Sequence, residues 1–111
     1  SGRNILFRYT LEYADRHRDA LNAVKTIPEL QALLDADKEL MNDFIRYAAR
    51  NGVQPDYRDI ARSRKLIEAQ LRAYIGRNTP LNEAGFYVNI YPIDPVMLRA
   101  VEVFKTQNDH D

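Results

Sequence analysis

Residue types that carry acid, base and nucleophile chemistry are sparse in this chain, and their spacing works against them. Its 111 residues hold two serines, two histidines and no cysteine. Ser63 stands two positions before Lys65, the composition of a serine nucleophile with a lysine base. The segment reads as helix, however, and helical residues two apart point about 200° from one another, so hydroxyl and amine cannot share a proton. Asp35 with Asp37, and Asp56 with Asp59, offer carboxylate pairs of the sort used in general acid–base catalysis. All four fall where helices are expected to start or stop, and capping accounts for them. His17 and His110 lie at opposite ends of the sequence, with no HExxH spacing and no calcium-loop pattern. The four glycines stand too far apart to form a phosphate-cradling loop. No catalytic, metal-ligating or cofactor-binding residue is assigned, and no cofactor is expected.

Two groups could recognise a partner instead. Arg58, Arg62, Lys65, Arg72 and Arg77 recur along one expected helix and could form a phosphate-facing stripe. Asp56, Asp59 and Glu68 interrupt that field, and the link from Asn51 to Pro55 is longer than a helix-turn-helix turn. The second group is aromatic. Most of the seven tyrosines and four phenylalanines fall on buried stripes, but Tyr74, Phe86, Tyr87 and Tyr91 gather late in the chain near helix ends. They are the candidate partner-docking residues, since an apolar patch left there would favour another protein surface.

The elements that must position these residues are all helical. From Asn4 to about Val24, Leu6, Tyr9, Tyr13, Ala20, Leu21 and Val24 recur at intervals of three and four, one face of a helix, with His17 on the same stripe as a packing or capping residue. Thr26, Pro28 and Glu29 form a start signal for a short helix, Pro28 to Leu34. Asp37 is expected to cap a third, with Leu40, Met41, Phe44, Ile45 and Ala48 inward and Gly52 as its stop. Asp56 caps the longest helix, running to about Arg77 with Ile60, Ser63 or Arg64, Ile67, Leu71, Tyr74 and Ile75 inward. Gly76, near its end, marks a close approach or a termination. Thr79-Pro80 opens a fifth helix through Leu81, Ala84, Tyr87, Val88 and Tyr91. Asp94-Pro95 opens a sixth with Met97, Ala100, Val101 and Phe104 inward, and Thr106 to Asp111 frays. The fold expected is all-α, a compact bundle of five to six amphipathic helices, with no internal repeat.

Sixteen basic residues balance sixteen acidic ones, so no net field draws the chain to nucleic acid or an anionic membrane. No apolar run approaches the ~20 residues of a bilayer span, and no secretory signal is visible. Absence of cysteine leaves the redox compartment undetermined. Ser1-Gly2 reads as a tag remnant, residues 3–105 as one helical domain and 106–111 as a frayed tail; the whole reads as a piece excised from a larger protein.

Four blocks, in order, resemble the helical C-terminal region of bacterial carboxy-terminal processing peptidases, the tail-specific proteases, in the form common in Bacteroidetes. They are Tyr13-Ala14-Asp15-Arg16-His17-Arg18; Phe44-Ile45-Arg46-Tyr47-Ala48 with Asn51-Gly52-Val53; Ser63-Arg64-Lys65-Leu66-Ile67 with Gln70-Leu71-Arg72-Ala73-Tyr74-Ile75-Gly76-Arg77-Asn78; and Asp94-Pro95-Val96-Met97-Leu98-Arg99-Ala100. The resemblance implies a secreted, periplasmic parent whose PDZ module presents substrate C-termini to a Ser/Lys dyad in an α/β domain. Neither part is present here, no serine matches the nucleophile, and Asn78 to Asn82 departs from the aromatic-acidic stretch frequent in that family. The expected role is a non-catalytic accessory domain that packs on the PDZ and catalytic parts or mediates self-association, a homo-oligomer included. The alternative is a free-standing helical adaptor or nucleic-acid-binding module using the basic helix face.

Overall fold

The computed structural model describes residues 2–54 and 56–92, with side chains from residue 5 onward. Six helices and no strand occur among the described residues: α1 (Gly2–Arg16), α2 (Arg18–Asn22), α3 (Ile27–Ala36), α4 (Leu40–Arg50), α5 (Tyr57–Arg77) and α6 (Glu83–Ile90). The protein is an all-α bundle. The expected helix from Asp94, with Met97, Ala100, Val101 and Phe104, and the tail after it lie outside the described residues.

The single helix expected over Asn4 to Val24 is two. His17 leaves helical geometry at φ −111° and ψ 27° between α1 and α2, and the change of direction turns Leu21 and Val24 into the core while leaving Ala20 exposed. His17 is itself exposed rather than buried on the stripe, its ring 4.2 Å from that of Tyr13. Leu6, Tyr9 and Tyr13 are buried as their spacing requires, and Ile5 and Ala14 widen that face.

Capping explains most boundaries. Thr26 accepts from the Glu29 N–H at 3.3 Å, while the Glu29 carboxylate reaches back to the Lys25 N–H at 3.0 Å, so two donors at the start of α3 are satisfied. Helix α3 runs two residues past the expected Leu34, to Ala36. Asp37 is not the N-cap of α4; that position is Glu39, which makes no side-chain cap bond. Asp37 instead accepts from the Glu39 N–H at 3.1 Å and the Tyr13 hydroxyl at 2.8 Å, tying the α3–α4 turn to α1. Gly52 ends α4 at φ +84°, with the Gly52 N–H donating to the Ala49 carbonyl and the Val53 N–H to the Ala48 carbonyl. That is a Schellman stop, which needs the left-handed conformation glycine adopts freely. Asp56 caps α5 by accepting from the Arg58 N–H at 2.9 Å.

The fifth expected start is displaced. Thr79 does not begin a helix: its hydroxyl donates to the Gly76 carbonyl at 2.7 Å and accepts from the Leu81 N–H at 3.3 Å, closing a turn. Asn82 then takes a positive φ of 52°, and α6 begins only at Glu83. Helix α6 folds back onto α5 through two glycines. A Cβ built on Gly76 would lie 2.3 Å from the Gly85 carbonyl oxygen, and one on Gly85 would lie 2.4 Å from that of Gly76. Here Gly76 serves close approach rather than termination, since α5 continues to Arg77.

The main core gathers Tyr9, Tyr13, Leu21, Leu30, Leu34, Leu71 and Ile75, all buried, from α1, α2, α3 and the second half of α5. Leu40, Met41, Phe44 and Ala48 close it from α4, with Ile45 half-covered at its edge. A smaller cluster of Ala69, Ala73 and Ile90 joins α5 to α6.

Candidate functional site

Tyr74 near the end of α5, Phe86 and Tyr87 on α6, and Tyr91 just beyond it come together as a continuous row of rings. Tyr74 and Phe86 meet edge to face with centroids 5.3 Å apart, Phe86 and Tyr87 at 5.2 Å, and Tyr87 stacks on Tyr91 at 4.9 Å. Offset and edge-on contacts of this kind suit the ring quadrupoles. The Gly76–Gly85 contact makes the row possible, because it brings the α5 and α6 backbones close enough for Tyr74 and Phe86 to touch. All four side chains are half-buried, so each still shows part of its surface to solvent.

Two members escape the sequence reading. Phe7, on α1, extends the row with its ring 5.7 Å from Tyr74 and remains 44% exposed. Leu11, one turn further along α1, is also exposed at 42%; the i, i+4 spacing of these two large apolar residues off the buried stripe was a visible signal. Arg77 covers the row from above, its guanidinium carbon 4.0 Å from the Phe86 centroid and 5.5 Å from that of Tyr74, a cation–π arrangement. Its Nε lies 3.2 Å from the Glu83 carboxylate. Arg77 had been grouped only with the basic stripe.

That stripe does not survive as one electropositive face. Arg72 pairs with Asp35 at 2.8 Å and Arg77 with Glu83, which leaves Arg58, Arg62 and Lys65 exposed on the first half of α5. The carboxylate pairs also part in role. Asp56 caps and Asp59 lies in the first turn of α5, but Asp35 binds Arg72 instead of capping, while Asp37 joins Tyr13 to the α3–α4 turn. Ser63 and Lys65 both lie in the uninterrupted α5, where their spacing separates them. Among the described residues no three His, Asp or Glu side chains gather as a metal site, and no helix is long and apolar enough to cross a membrane.

A second feature flanks Arg72. Two open grooves, of about 290 and 230 Å³, lie on either side of it and share Glu68. The larger runs between α3, α5 and the end of α6; the smaller lies under the α3–α4 turn beside Asp35 and Asp37.

Comparison with known proteins finds one family. The model of a family of unknown function (DUF8443) matches residues 1–79, a span that takes in α1 to α5 and stops before α6. No curated protein and no solved structure matches the chain.

Proposed function

The chain belongs to the DUF8443 family, and from that premise we propose that it is a non-catalytic helical docking module. The observation that carries this reading is the ring row from Phe7 through Tyr74 and Phe86 to Tyr87 and Tyr91, half-buried and open to solvent along its length. Rigid aromatic side chains give large contact area at low entropic cost, and a neighbouring arginine is a frequent companion at interface centres. Residues that would perform bond chemistry do not converge: the one serine with a described side chain has no base within its helical reach.

The finer assignment rests on the four blocks of resemblance. It makes the chain the accessory domain of a secreted, periplasmic tail-specific serine peptidase, the ring row packing on the PDZ or catalytic part or on a second copy. To test it, the full-length parent is compared with a version lacking residues 3–105. Altered folding, oligomeric state or cleavage of a C-terminally tagged substrate is the expected outcome, and identical values in all three end the reading. Within the full-length parent, Phe7→Ser is the sharper probe, since a side chain 44% exposed contributes little to the fold. Loss of a central aromatic anchor weakens association by about 2 kcal/mol or more; an unchanged interdomain or intersubunit affinity removes the ring row from the interface.

A further inference from the structure

Helix α5 carries Lys65, Glu68 and Arg72 at i, i+3 and i+7 along one face, a cation, an acid and a cation in a row, and all three line the groove of about 290 Å³ against α3 and the end of α6. Glu68 is spaced to pair with either neighbour, yet among the described residues it forms no ion pair, and neither does Lys65. Arg72 commits one terminal nitrogen to Asp35 at 2.8 Å, and its side chain is only 19% exposed, which leaves its remaining N–H groups in a partly desolvated position. Across the groove, the Gln31 Oε1 is buried and accepts no hydrogen bond. An acceptor buried without a donor is costly and marks a place where a donor fits. Ala69, Val88 and Pro92 supply an apolar wall beside these groups.

We propose that this groove binds a free acidic α-amino acid of the glutamate type. The ligand's charges run carboxylate, ammonium, carboxylate, the complement of the row on α5. Its α-carboxylate meets the free N–H groups of Arg72, its α-ammonium donates to Glu68 and the Gln31 Oε1, and its side-chain carboxylate meets Lys65. Lys65 and Arg72 start about 10 Å apart along the helix axis, and their long side chains can converge over that distance. The methylenes lie on the Ala69, Val88 and Pro92 wall. This assignment is independent of the docking role, which uses the ring row.

The test is titration of the complete 111-residue chain with glutamate, followed by calorimetry and by amide shifts of residues 65–72. Glutamine lacks the second carboxylate and glutarate lacks the ammonium; each is expected to bind at least about tenfold more weakly than glutamate, the loss of one charge-assisted hydrogen bond. N-acetylglutamate separates the free amino acid from a peptide's C-terminal residue, and it too is expected to be weak. Gln31→Leu removes a buried unpaired acceptor, so the variant should melt no lower than the parent chain while losing about tenfold in glutamate affinity. Glu68→Gln should lose as much. No response to glutamate at millimolar concentration, equal binding of glutarate, or full affinity in a folded Gln31→Leu and Glu68→Gln overturns the proposal.

Discussion

Two phenols in the core make the fold sensitive to alkali. Tyr9 and Tyr13 are each 2% exposed. Burial raises the Tyr9 pKa to about 12, with the nearby Asp43 carboxylate adding to it; burial first, and then the hydrogen bond to Asp37, raises that of Tyr13 as well. In the unfolded chain both would ionise near 10. Below that pH their contribution is fully present, and it is lost as pH rises through the folded values, because the unfolded state then sheds protons the native state retains. Stability is therefore expected to fall from about pH 10 upward. Denaturant melts across that range, read beside tyrosinate absorbance, check this, and Tyr9→Phe should flatten the slope. Tyr13→Phe is expected to cost about 1 kcal/mol at neutral pH, the net worth of a hydrogen bond. Asp37 keeps the Glu39 N–H and some solvent, so it is not stranded.

Where helices meet, three glycines separate two kinds of constraint. At Gly52 nothing lies within 4 Å of an added Cβ, and only the φ of +84° opposes a side chain; Gly52→Ala should cost about 1–2 kcal/mol, the left-handed penalty alone. At Gly76 and Gly85 the opposing atoms are backbone carbonyls, which cannot swing aside as a side chain would. Either alanine must push α6 off α5, at about 1–3 kcal/mol or more, and the double variant should cost less than the two singles together, because both break one contact. Urea melts of the four variants test the set, and a harmless Gly76→Ala would refute the contact. The caps at Thr26 and Asp56, the Gly52 stop and the apolar spacing of α4 and α5 were legible in the sequence, since each is a local signal within a few residues. The break at His17 and the late start of α6 were not. One depends on where Leu21 and Val24 find the core, the other on a hydroxyl of Thr79 turned back to Gly76. Site residues divide in the same way: Tyr74, Phe86, Tyr87 and Tyr91 are close in sequence and were grouped by it. Phe7 and Gln31 join their neighbours across more than thirty positions, which no periodicity reports.

Over the whole molecule, burial is uneven along α5, and this gives a direct view of what covers it. Its second half carries Ala69, Leu71, Ala73, Ile75 and Gly76 into the two cores, whereas from Tyr57 to Leu66 only Ile60 and Ser63 are even partly covered. Tyr57 is 76% exposed and Leu66 44%. The described chain is correspondingly long, 49 × 32 × 21 Å, with a radius of gyration of 15.0 Å against the ~13 Å of a compact chain this size. An isolated stretch of ten helical residues is marginal in water, so the Asp56 cap and the continuity with the packed half must hold it. Amides of residues 58–66 are therefore expected to exchange through local opening at low free energy, while those of 69–77 open only with the global transition. Native-state hydrogen exchange over a denaturant series measures both. Asp56→Ala should accelerate the first group and lower global stability by about 1 kcal/mol at most, because the cap acts on a segment that frays independently. Equal protection in both halves, falling as the protein is diluted, would mean that the first half of α5 is covered by a second copy. Equal protection that does not change with concentration would refute the division of α5 into a packed half and an open one.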